Sequence, residues 1–218
     1  MTPIERSRRA ERLPELVAAG KLARRAARVE LHALLDDRSP IVRWEAAISL
    51  ADVDGSRARR ALQRRFAREP SWVVRTDIVE AFHEIATRSD RAWLLGIVDG
   101  RDSIIVRGAA AWCLGRSAVG VSPAALLARA RRTRSQRLRV DLAAASYALD
   151  PTDAAFALIV SGLVRAPDTI SAVASLNSLR GLSFSAAQKR AIRESLRAHW
   201  KNDGVRASAV AVFSGRGW

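Results

Sequence analysis

Four arginines stand 32 residues apart along the chain, Arg43, Arg75, Arg107 and Arg139. Guanidiniums at one spacing can track the phosphates of a nucleic-acid backbone, or tie neighbouring structural units together by charge-assisted hydrogen bonds. Acidic residues recur two positions later, at Glu45, Asp77 and Asp141, and this pattern favours the structural ladder. Asp77, Glu80, His83 and Glu84 are metal-ligand types at helical spacing, but one helix supplies too few converging groups for a metal site. They read as a polar face, and neither a metal nor a cofactor is expected. The sequence has no phosphate-cradling glycine loop, nucleophile elbow or Cys–His pairing.

Aromatic side chains are few. Trp44, Trp112 and Tyr147, with His83, fall near one flank of the arginine-bearing segments. They are the positions at which a base would stack or a partner peptide would anchor. Packing between stacked helices is the alternative use of such flank positions.

The segments that must position these residues repeat at the same stride. Ser39 returns as Ser71, Ser103 and Ser135, and Val42 as Val74, Val106, Leu138 and Ile170. A period of this length marks stacked supersecondary units, none of which buries its apolar face alone. Each unit reads as two helices. Ser39 is an N-cap and Pro40 the first helical residue. Val42, Ala46, Leu50 and Val53 then share one face, as do Val74, Ile78, Phe82 and Ile85. Each unit's first helix is marked by an apolar pair, Leu62 and Phe66, Leu94 and Val98, Leu126 and Leu127, or Leu158 and Ile159.

The stretches DDRSPIVRWEAAISLADV and DGRDSIIVRGAAAWCLG resemble the HEAT and HEAT-like repeat families. The resemblance covers residues 30–180 and weakens in the fifth unit, where Pro167 and Ser171 stand at the Ser and Arg positions. It implies an all-α fold, an α-solenoid of about five to six HEAT-like helical-hairpin repeats. It implies no particular chemistry, because a fold does not fix a function. One enzyme class on such a scaffold, the DNA glycosylases for alkylated bases, would cast Trp112, Asp141 and Arg139 as cleft residues, although their motif cannot be matched residue by residue. In this reading 1–218 is one domain. Residues 1–29 form an N-terminal cap, with Ser7 one period before Ser39, 30–183 the regular repeats, 184–213 a C-terminal cap and 214–218 a tail. Val205-Arg206 restores the motif three residues late.

The formal net charge of +15 favours anionic partners. Arginine so outnumbers lysine that a GC-rich coding composition is the alternative source of the charge. No apolar run is long enough to span a bilayer and the start lacks a signal-peptide core. The lone Cys113 has no partner thiol. Together these place the chain in the cytoplasm. Basicity is concentrated on first helices, at Arg57, Arg60, Arg64, Arg65 and Arg68 and again at Arg129, Arg131 and Arg132, which are the expected polyanion contacts. Second helices carry acids. The expectation is a non-catalytic scaffold that binds a protein partner, or a nucleic acid, through its basic surface.

Overall fold

The computed structural model describes residues 1–201 and 203–213. The tail read at 214–218 and the side chain of Arg206 lie outside the described residues. Among the described residues there is no strand. A solitary helix α1 (Pro3–Ala18) precedes six hairpins: α2 (Arg24–Leu34) with α3 (Pro40–Asp54), α4 (Arg59–Arg68) with α5 (Trp72–Ile85), α6 (Arg91–Asp99) with α7 (Ile104–Arg116), α8 (Pro123–Arg132) with α9 (Gln136–Leu149), α10 (Asp153–Val164) with α11 (Thr169–Asn177), and α12 (Ala186–His199) with α13 (Asp203–Phe213). This is the α-solenoid class, built from repeated helical hairpins. The chain forms two compact units, Met1–Gly120 and Val121–Trp218.

In the N-terminal unit the second helices form one layer, with α1 against α3, α3 against α5 and α5 against α7. The spacing of the apolar side chains explains why. Val42, Ala46, Leu50 and Val53 are buried on α3, and Val74, Ile78, Phe82 and Ile85 on α5. Each large aliphatic side chain removed from water contributes about 1.5–3 kcal/mol. Second helices are flanked on several sides, so they need small residues for close approach. On α7 the run Gly108, Ala109, Ala110 and Ala111 is buried together with Cys113 and Leu114. First helices bury a single stripe, on α4 only Ala61, Leu62 and Phe66, which leaves most of their circumference for charge.

Helix starts follow the Ser positions, but the caps differ. Ser103 and Ser135 accept from the Val106 and Leu138 N–H groups, whereas Ser39 and Ser71 make no side-chain cap. There an acid two residues earlier takes the backbone instead: the Ser39 N–H donates to Asp37 Oδ1 at 2.8 Å and the Ser71 N–H to Glu69 Oε1 at 2.9 Å. Helix α1 starts five residues ahead of the stride. Its N-cap is Thr2, in a capping box with Glu5, and Ser7 lies within the helix. Residue 29 falls inside α2, so the break after α1 is the turn at 19–23.

In the C-terminal unit α9 packs on α8, α10 and α11, and α11 packs on α13. Gly162 permits the close approach of α10 to α9: a Cβ there would lie 2.4 Å from Val140 Cγ2. The fifth repeat slips by one residue. Asp168 is its N-cap and accepts from the Ser171 N–H at 2.7 Å. The slip turns Ile170 outward, 81% exposed, and the buried positions become Ala172, Ser175 and Leu176. Ile170 is therefore not a member of the Val42 row. Val205, three residues late as read, is buried. Leu127 and Leu158 are half-buried beside the buried Leu126 and Ile159.

Candidate functional site

The arginine positions do not use the acids two residues on. Arg43, 6% exposed, donates from Nε and Nη2 to both carboxylate oxygens of Glu69 at 2.8 and 2.7 Å. Its Nη1 donates to the Asp37 and Arg38 carbonyls at 2.9 and 3.0 Å. Arg75 donates to Asp102 and lies over the Phe66 ring at 4.3 Å. Both acids follow the next unit's first helix, so each bond links a second helix to its successor. The series begins before the stride reveals it. Arg6, four residues after the Thr2 cap as Arg43 is after Ser39, donates to Asp37 from Nε and Nη2 at 2.6 and 3.0 Å. Counting from helix caps rather than by 32 would have found it. Arg107 instead donates to the Val98 carbonyl at 2.8 Å, and Arg139 donates to the Thr133 carbonyl at 2.7 Å and to Gln136. Both engage their own unit's first-helix end, where carbonyls lack partners and the helix dipole favours a cation.

Burial raises the Glu69 carboxyl's pKa, but hydrogen bonds from Arg43, the Ser71 N–H and Arg65 outweigh it, leaving the carboxyl below its ordinary range. The Glu69 hydrogen bond holds Arg43 protonated more firmly than a free guanidinium.

The basic candidates on α4 and in the turn just before it separate into two kinds. Arg65 bonds Glu69 and Asp36, and Arg68 bonds Asp36. Arg57, Arg60 and Arg64 are exposed and pair with no acid among the described residues. On α2 the residues one period earlier are Arg25, Arg28 and His32, and one period later they are Ser89, just ahead of α6, and Ala92 and Gly96 on it. The basic rows thus stop at α6. In the C-terminal unit Arg131 and Arg132 are exposed, while Arg129 is half-buried and donates to the Ala125 carbonyl at 3.2 Å.

The second-helix face of the N-terminal unit carries a cleft of ≈ 240 Å³ between α3, α5 and α7, lined by Ile48, Ala51 and Ala81, by Asp52, Asp77, Glu80, His83 and Glu84, and by Trp112. Trp112 packs tilted against His83, ring centroids 4.7 Å apart, and the Arg116 guanidinium lies over the Trp112 ring at 5.2 Å. Burial, then the neighbouring Glu80, pushes Asp77 up to about 6, and its Oδ2 is shielded from solvent with no hydrogen-bond donor. Burial raises Glu80 as well, and burial followed by Glu84 raises Asp52. Among the described residues no three His, Cys, Asp or Glu side chains are placed to hold a metal ion.

The other aromatics occupy different settings. Trp44 is half-buried on α3. Tyr147, 3% exposed, donates to Gln188 at 2.9 Å and stacks on Phe184, so it is a packing residue of the C-terminal unit, not an open contact. Asp141 is also buried, held by Arg137 at 3.1 Å and by the Ser178 hydroxyl. Burial raises its pKa against both partners. A carboxylate so enclosed is not the open cleft acid of a base-excising enzyme.

Residues 16–83 match the family model described as HEAT repeats. These are HEAT repeats. The match spans the α2/α3 hairpin and most of α4/α5, the region holding the Arg43–Glu69 tie, the unpaired arginines and most of the cleft. No curated protein and no solved structure matches the chain. Among the described residues no helix is long and apolar enough to cross a membrane.

Proposed function

We propose that this HEAT-repeat chain is a non-catalytic binding scaffold that engages a polyanionic partner, an acidic protein or a nucleic acid, through its basic first-helix faces. The observation carrying this reading is that Arg57, Arg60 and Arg64 are exposed without an acid partner, while neighbouring arginines are neutralised by Asp36, Asp54, Glu69 and Asp90. An exposed cation row without counter-charge attracts an anionic surface and accelerates its arrival. Arg131 and Arg132 offer a second such place. The test compares two double variants of equal charge. Arg60→Glu with Arg64→Glu is expected to abolish retention on a sulfated polysaccharide resin at moderate salt. Arg190→Glu with Arg197→Glu, exposed on α12, should leave most of it. Equal losses would mean that net charge alone binds, and the proposed face would be discarded.

A second reading of the same scaffold rests on the acid-lined cleft beside Trp112. The cleft suits an arginine- or lysine-bearing segment of a protein partner, its cation on Asp77 and Glu80 and its stem against Trp112. The free protein then holds a carboxylate that costs stability. A raised carboxyl pKa means that the folded state binds its proton more tightly than the unfolded state. This contribution favours folding below the ordinary aspartate range and is lost as pH rises through about 6. Asp77→Asn should therefore stabilise the protein at neutral pH by about 1–2 kcal/mol, allowing for solvent screening, while weakening capture of a polyarginine peptide. Unchanged melting together with unchanged peptide binding would remove the cleft from consideration.

A further inference from the structure

The anionic partner can be narrowed by the surroundings of the free arginines, an inference that rests on the polyanion reading above. Arg60 and Arg64 are one turn apart on α4, an axial separation of about 6 Å, and Arg57 lies three residues before Arg60, just ahead of the helix. Arg25 stands one period before Arg57 on α2, exposed and without an acid partner, with Lys21 and Arg24 beside it. The two helices are neighbours: Arg65 and Arg68 of α4 both reach Asp36, which closely follows α2, and Arg28 of α2 reaches Asp54, just ahead of α4. The free cations therefore spread over two neighbouring helices rather than lining a pocket for a single anion.

The acids on this face are already neutralised. Glu30 is held by Arg9, Asp36 by Arg65 and Arg68, and Asp54 by Arg28. On the two helices Ala26, Ala33 and Ala67 are exposed small side chains, and Val29 is the sole large apolar residue exposed on α2 or α4. Protein interfaces draw their energy from a desolvated core of aromatic and aliphatic anchors, which this face lacks. Single-stranded nucleic acid is held by stacking on aromatic rings, and no Phe, Tyr or Trp is exposed on either helix, where the imidazole of His32 is the one exposed ring. What remains is dense charge of fixed geometry that requires neither apolar burial nor stacking, and a double helix supplies one negative charge per about 1.7 Å of its axis.

We propose that the α2/α4 face of the N-terminal unit binds the phosphodiester backbone of a double-stranded nucleic acid, without reading its sequence. Arginine suits this role, since its planar fork donates two bonds to one phosphate.

The test uses the full chain with three labelled probes at low salt: a random-sequence DNA duplex, one strand of it, and polyglutamate. The duplex should bind tightest. With about four to five phosphates neutralised, log K should fall against log salt with a slope of roughly −4, a loss of about 200-fold between 50 and 200 mM salt. Arg57→Glu, Arg60→Glu and Arg64→Glu combined should weaken duplex binding by about 100-fold or more, and the corresponding lysine variant, which keeps the charges, should stay within about fivefold. These side chains are exposed and unpaired, so helix content should not change. Tight polyglutamate binding with no preference for duplex would overturn this inference and leave the polyanion scaffold standing. Duplex binding unaffected by the triple reversal would remove this face as the site. Binding of none of the probes would take down both readings.

Discussion

Glu69→Ala is expected to destabilise the protein by about 3–5 kcal/mol, because it strands Arg43 in a site where the guanidinium is almost entirely enclosed. For a chain of this size that corresponds to a fall of roughly 10 °C in melting temperature. The removed carboxylate also accepts from Arg65 and from the Ser71 N–H, so three residues lose their acceptor at once. Replacing Arg43 and Glu69 together by methionine should recover much of the loss, since a buried pair exchanged for apolar side chains of similar volume is close to neutral. The pH dependence runs opposite to that of Asp77. Glu69 has a depressed folded pKa, so its contribution is present above the ordinary glutamate range and disappears as pH falls through the folded value. Thermal melts of the single and double variants at neutral and acid pH measure both effects. A single-variant loss below about 1 kcal/mol would show that the Arg43 bond does not tie the repeats.

Leu114→Asp is expected to unfold the N-terminal unit. Leu114 is fully buried on α7, where a carboxylate would meet neither water nor a donor. The lost packing and the uncompensated charge amount to several kcal/mol each, against a total stability of about 5–15 kcal/mol. Circular dichroism should register lost helix and lost cooperativity. Ile170→Asp is the counter-case. Stepping by 32 from Val42 puts Ile170 among the buried residues, yet it faces solvent, so this change should cost less than about 0.5 kcal/mol. Tolerance of Leu114→Asp would contradict the packing of α7, and unfolding by Ile170→Asp would contradict the slip in the fifth repeat.

The sequence by itself determined the class of fold and the places of the hairpins. Ser39, Pro40 and the Val42, Ala46, Leu50 face are local signals, each acting within a few turns of one helix, and their recurrence states the repeat directly. What lies across a helix–helix gap was decided by the tertiary structure. Arg43 has Glu45 two residues away, but successive helical positions point in different directions. Its partner is Glu69, which only the stacking of α3 on the next hairpin brings near. Arg6 was hidden for a related reason: α1 starts five residues out of stride, so its kinship to Arg43 is visible only in distance from the N-cap. At Ile170 a single inserted residue rotates a whole helix by about 100°, enough to turn a core position outward while the pattern of residue types still looks regular. The charges divide the same way. Composition shows an excess of arginine on first helices, whereas which arginines are free is set by whether Asp36, Asp54 or Glu69 comes within reach once the hairpins stack. The acidity of the second helices was likewise legible, but the cleft that shields Asp77 beside Trp112 exists only where α3, α5 and α7 meet.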